Sequence, residues 1–208
     1  MRYVYLHGFA SGPTSRKARF FQNVIGKLGI HLEIPALDRG DFEHLTISRQ
    51  LAALDSLLSG APARLVGSSM GGYLAALYAS TRPEISRVVL LAPAFDFIDL
   101  LERSKPPEKL AAWRDSGWTE VFHHSTGGPR PLHYGLLHDA RQYPAFPNFA
   151  QPALIFHGTA DDVVPISLSR DFARTHPNAQ LFELPSGHEL LDVQDEIAAR
   201  AIPFLTAP

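Results

Sequence analysis

The 208 residues carry 19 basic and 21 acidic side chains, for a formal charge of −2, and no cysteine. Without thiols there is no disulfide, thiolate nucleophile, zinc ribbon or iron–sulfur cluster, and without a basic excess nothing points to nucleic acid. A hydrophobic content of 45% with 19% charged residues describes a globular chain, and no apolar run approaches the ~18 residues of a membrane span.

Arg2 is followed by the apolar run Tyr3–Leu6, which His7-Gly8 interrupts. The run is too short for a signal segment and reads as a first strand, so a cytoplasmic location is the expectation. A helix follows over Ser15–Leu28, with Phe21, Val24, Ile25 and Leu28 at spacings of three and four. His31–Ile34 is a second strand. Ile47, Leu51, Leu54 and Leu58 mark an amphipathic helix. Arg64–Val66 is a third strand running into Gly67, and Leu74–Tyr78 lies in a helix bounded by Pro83. Arg87–Leu91, Ala153–Phe156 and Gln180–Leu184 are the remaining strands, with a helix over Ser167–Thr175 between the last two. Leu190, Val193, Ile197 and Ala201 predict a closing helix that Pro203 disrupts.

Strands that alternate with helices and read as continuous apolar runs predict a parallel sheet covered on both faces. The fold class is therefore α/β, three layers built on about six mostly parallel strands. Ligands are expected at the carboxyl ends of the strands. Residues 95–150 break the rhythm, because a connection of this length far exceeds the usual 2–6 residues of roughly such a loop. The stretch is rich in aromatic residues, Trp113 and Trp118 among them, and in proline. It reads as a partly helical lid inserted over the sheet's active edge, within a single domain spanning 1–208.

Gly67-Ser68-Ser69-Met70-Gly71-Gly72 contains G-x-S-x-G in the frame Gly67, Ser69, Gly71. A strand before it and a helix after it give the context in which such a motif holds a nucleophilic serine on a sharp turn. Small residues must flank the turn for it to close, and Ser69 then stands at a helix N-terminus, which favours developing negative charge. A serine hydroxyl needs a base and a group that orients the base. His188, in Ser186-Gly187-His188 just after the last strand, is the base candidate. The acid lies between them in chain order, in His157-Gly158-Thr159-Ala160-Asp161-Asp162-Val163-Val164-Pro165. Asp161 is the choice and Asp162 the fallback; Asp96 and Asp99 are more distant alternatives. The oxyanion donors are the backbone N–H groups of Met70 and of Phe9, the latter in the loop after the first strand, where Gly8 lets the backbone approach substrate.

With H-G-F after the first strand, G-x-S-x-G-G at the turn, H-G-x-x-D-x-x-V-P and S-G-H in this order, the chain resembles an α/β-hydrolase over nearly its whole length. The opening His7–Pro13 followed by Ser15 and Lys17 is similar to the small YqiA-type esterases. The resemblance implies a serine esterase or thioesterase with Ser69, Asp161 and His188 as its triad, no cofactor, and a small acyl ester or thioester as substrate. It also implies a sheet that begins at the superfamily's third strand, and a cap at residues 95–150.

Arg16, Lys17 and Arg19 cluster beyond the oxyanion loop. They form either a solvated helix face or a site for an acidic substrate group. The aromatic residues of the insertion, Trp113 and Trp118 included, suggest an apolar acyl or aryl pocket. His123, His124, His133 and His138 with Asp139 fit no metal-ligand spacing, so no metal is expected. His7 and His157 are expected to bond backbone near the site. Alternatives on the same fold are C–C bond hydrolysis or elimination on an acidic substrate, and a binding protein without turnover.

Overall fold

A computed structural model describes residues 1–208. Six parallel strands form one sheet: β1 (Arg2–Leu6), β2 (Leu32–Glu33), β3 (Ala63–Ser68), β4 (Ile85–Leu91), β7 (Ala153–Gly158) and β8 (Ala179–Leu184). Their order is β2-β1-β3-β4-β7-β8. The chain moves outward one way from β1 to β2 and then the other way from β3, so the order reverses between β1 and β3. A crevice opens at the carboxyl ends of the strands at such a reversal.

Strand alternation sends residues to two separate cores. Leu65, Val88, Leu90 and Ile155 join a cluster of 37 buried residues with α2 (Ile47–Leu58), α3 (Met70–Thr81) and α7 (Ile166–Thr175). Val66, Val89, Leu91 and Phe156 face the other way, into a cluster of 18 with α1 (Arg16–Gly26) and α8 (Gln194–Thr206). This is the expected three-layer α/β arrangement. Ser15 and Thr46 cap α1 and α2 by accepting the N–H groups of Ala18 and Arg49. Every residue of α3 from Met70 to Ala79 is buried, which the small residues Gly71, Gly72, Ala75, Ala76 and Ala79 permit.

The closing helix differs from expectation. The last helix does not include Leu190, whose φ is +54°, and it runs through Pro203 to Thr206. The guanidinium groups of Arg64 and Arg87 donate to the carbonyls of Leu205 and Phe204. Two of the terminal carbonyls that a helix end leaves open are thus satisfied, and Leu205 is buried. Residues 95–150 are not only helical. They hold α4 (Phe97–Arg103), α5 (Pro107–Ser116), an antiparallel hairpin of β5 (Trp118–His123) and β6 (Gly128–His133), and α6 (Gly135–Ala140). Pro129 and Pro131 sit in β6, two residues apart and therefore on one side of the strand, where the hairpin asks for no N–H donor. Trp113, Leu132, Leu136 and Leu137 of this insertion belong to the larger core. No helix is long and apolar enough to cross a membrane.

Candidate active site

β3 delivers Ser69 into the crevice with φ +55° and ψ −121°, a backbone state that a serine holds only where its surroundings impose it. They do so through hydrogen bonds. The Ser69 N–H donates to Leu91 O on β4, and its carbonyl accepts from the N–H groups of Gly72, Tyr73 and Ala94. The turn closes only with glycine on either side. A Cβ on Gly67 would stand 2.3 Å from Gly71 O, and one on Gly71 would stand 2.1 Å from Leu6 O. The strand–turn–helix reading of this motif is what the backbone adopts. Ser68, the neighbouring serine, is the last residue of β3.

The loops after β7 and β8 are knitted together. Thr159 N–H donates to Leu184 O, and Ala160 N–H donates to Ser186 O. A side chain at Gly158 would meet Ser186 O at 2.3 Å. Asp161 on one loop therefore faces His188 on the other. His188 Nδ1 lies 2.8 Å from Asp161 Oδ2, and His188 Nε2 lies 3.1 Å from Ser69 Oγ. A carboxylate only accepts, so Nδ1 carries the imidazole proton and the lone pair of Nε2 faces the serine hydroxyl.

Asp161 has no exposed side-chain surface. Its Oδ1 accepts the N–H groups of Val163 at 2.9 Å and Val164 at 2.8 Å. Its Oδ2 also faces His157 Nε2 at 3.1 Å. Burial works against the charge, but hydrogen bonds from His157, His188 and the Val164 N–H outweigh it and hold the carboxyl far below its ordinary range. His157 Nε2 also faces the carbonyl of Val164 at 2.9 Å, so it carries a proton, and Nδ1 pairs with Ser169 Oγ at 2.7 Å. The bond to backbone was expected of His157; the one to Asp161 was not, although the spacing of four residues in H-G-x-x-D was its signal. Asp162 is exposed. Asp96 sits at the start of α4 and Asp99 pairs with Arg103, so neither is a partner of His188.

The Phe9 N–H and the Met70 N–H, at the first position of α3, donate to no protein acceptor. His7 orients the first of these. Its Nε2 accepts the Leu37 N–H, so Nδ1 is the donor to Gly8 O at 3.0 Å. In a trans peptide the N–H points opposite to the carbonyl, which turns the Phe9 N–H away from His7. Gly8 lies against Ser69, and a Cβ there would stand 3.4 Å from Ser69 Cβ.

Ser69 and His188 line a cavity of about 780 Å³ with Gly8, Phe9, Arg16 and Lys17. Tyr5 and Phe9 are its aromatic lining residues, and no aromatic ring of the insertion other than the His124 imidazole lines it. Trp113 is buried in the insertion and its indole N–H donates to Leu132 O at 3.1 Å. Trp118 is 42% exposed and packs on His44 and His133. Both were expected to touch substrate, and neither lines the cavity. The insertion contributes the turn of its hairpin, His124 and Ser125, which is tied to the loop after β1 by the His124 N–H donating to Ala10 O. Arg19 is exposed and lies off the cavity, whereas Arg16 and Lys17 line it. Asp139 accepts from Ser48 N–H and binds α6 to α2. No three His, Asp or Glu residues gather into a group that could hold a metal.

A reversed parallel sheet with a serine on its central turn and a histidine and aspartate on two neighbouring loops defines the α/β-hydrolase superfamily, and the chain is a member of it. Residues 2–206 match the model of UPF0227, an uncharacterised protein family, and the chain belongs to that family, in keeping with its YqiA-type resemblance. A protein of Agrobacterium vitis S4 assigned as a hydrolase is 25% identical with a TM-score of 0.84, over 98% of this chain and 87% of that one. Mouse alpha/beta hydrolase domain-containing protein 10 is 20% identical with a TM-score of 0.81, over 98% and 88% of the two chains. Est1E of Butyrivibrio proteoclasticus, solved with ferulic acid, is 19% identical with a TM-score of 0.81, over 97% and 86%. No curated protein matches.

Proposed function

We propose that the protein hydrolyses carboxylic esters or thioesters through an acyl-enzyme on Ser69. The observation that carries this reading is the continuous hydrogen-bonded chain from Ser69 Oγ through His188 to Asp161, open to a cavity beside two unused N–H donors. Ser69 Oγ attacks the acyl carbon while His188 Nε2 takes its proton. Asp161 holds the tautomer that presents a lone pair and stabilises the imidazolium that forms. The oxyanion accepts the N–H groups of Phe9 and Met70, each such donor being worth about 2.7–4 kcal/mol. His188 then gives its proton to the leaving oxygen or sulfur, and water, deprotonated by the same imidazole, releases the acid and restores the serine. Every step is supplied by side chains and backbone. The test is hydrolysis of 4-nitrophenyl esters from acetate to octanoate by the wild type and by Ser69→Ala. The account expects turnover that the folded variant loses. Equal rates in the two proteins refute it. A folded wild type inert toward every ester would shift the assignment to C–C bond cleavage on the same three side chains.

A further inference from the structure

The cavity beside Ser69 carries a charge that acyl transfer does not use. Lys17, the second residue of α1, is 8% exposed and lines the cavity together with Arg16. Its ammonium makes one hydrogen bond, a long one of 3.5 Å to the carbonyl of His188. No carboxylate lies within ion-pair distance of it. An ammonium has three donors, so two are unused. Burial pulls the Lys17 pKa down, and the negative charges of Glu189 and Asp161 offset this only in part. The N–H groups of Arg16 and Lys17 at the start of α1 also lack protein acceptors, and the hydroxyl-bearing residues Ser11 and Thr14 line the same cavity. Glu189 is the one carboxylate on the cavity wall, against two cations.

The position of this charge assigns it a side. His188 takes the serine proton and returns it to the departing atom, so the leaving group lies on the histidine's side of Ser69. Lys17 reaches the main chain of His188 itself. We propose that the substrate carries an anionic group, a carboxylate or a phosphate, on its leaving-group side, held by the Lys17 ammonium and the Arg16 guanidinium. This rests on the acyl-enzyme reading given above. Both cations bind charge without entering the bond-making steps, and they select the alcohol or thiol that is released.

Three aryl acetates with the same scissile bond test this: 4-methylphenyl acetate, 4-acetoxybenzoate and 4-acetoxyphenyl phosphate, each rate divided by that ester's rate with hydroxide. At least one anionic ester exceeds the neutral one in kcat/KM by about tenfold or more, the worth of a charge-assisted contact. The better of the two identifies the anion. In Lys17→Met that ratio falls toward one, and Arg16→Gln, at an exposed position, lowers it as well and serves alone if Lys17→Met does not fold. A Lys17 that merely braces the His188 loop would lower all three rates equally and leave the ratio intact, which overturns the proposal. So does Ser69-dependent turnover that favours the neutral ester. Turnover of none of the three, or turnover that survives Ser69→Ala, refutes the acyl-enzyme reading instead.

Discussion

Replacing Asp161 by asparagine changes one atom and reverses one proton. The carboxylate accepts four hydrogen bonds, two from the backbone at Oδ1 and one each from His188 and His157 at Oδ2. An asparagine that keeps its oxygen on the Val163 and Val164 N–H groups turns its amide NH₂ toward two ring N–H groups. His157 retains the carbonyl of Val164. His188 Nδ1 is left facing a donor, so the imidazole adopts the opposite tautomer and presents N–H to Ser69 Oγ. The lone pair that should take the serine proton is gone. The expected loss in kcat is about 10⁴-fold, equivalent to about 5.5 kcal/mol of transition-state stabilisation. The fold survives, because hydrogen bonds to a charged group are worth about 1.5–3 kcal/mol each and the two backbone bonds persist in neutral form. The assay is kcat on a 4-nitrophenyl ester at pH 8, beside circular dichroism of both proteins. A folded Asp161→Asn retaining more than a tenth of wild-type kcat would refute the role given to this carboxylate.

Gly71→Ala should not accumulate as folded protein, since its Cβ would lie 2.1 Å from Leu6 O and 2.6 Å from His7 O, and backbone on both sides leaves no room to yield; soluble yield and a thermal melt check this. The depressed pKa of Asp161 makes its charge stabilising above the ordinary aspartate value of about 3.9, with that contribution lost progressively as pH falls below it. Urea midpoints of wild type and Asp161→Asn should therefore differ at pH 6, with the gap beginning to narrow only below about pH 3.9 and still narrowing at the lowest pH at which both proteins fold, and a gap that stays constant below that pH would contradict the linkage. Trp113→Ala should cost about 3–5 kcal/mol of stability, as truncation of a buried tryptophan does, while KM for small esters stays within about twofold. A selective rise in KM without destabilisation would place the indole in the substrate path after all.

The geometry of the candidate site was legible because it is written in short, local patterns. Gly67 and Gly71 are forced by contacts under 2.4 Å that no side chain could survive, and the strand before them is read from its apolar run. Asp161 and His188 each follow a strand, so their meeting needs only the sheet order. Between Asp161 and Asp162 the sequence offers no physical distinction; the turn that feeds Val163 and Val164 N–H groups to Asp161 makes it. What stayed hidden depends on distant partners. Pro129 and Pro131 argue against a strand until the hairpin's free edge is seen. Pro203 argues for a helix end until Arg64 and Arg87 are found at the carbonyls beyond it. Trp113 and Trp118 look alike in the sequence, yet one is core and the other surface. Lys17 reads as part of a solvated charge run, and only packing against the His188 loop shows it buried.

The central claim is a covalent bond between Ser69 and the acyl group. Rapid acid quench of the enzyme with 4-nitrophenyl hexanoate, followed by intact-mass and peptide-level mass spectrometry, tests it most directly. The account predicts a transient hexanoyl adduct on the peptide bearing Ser69, formed in step with a burst of nitrophenol and absent from Ser69→Ala. Steady turnover with no adduct at any quench time, or an adduct that persists in Ser69→Ala, would contradict it.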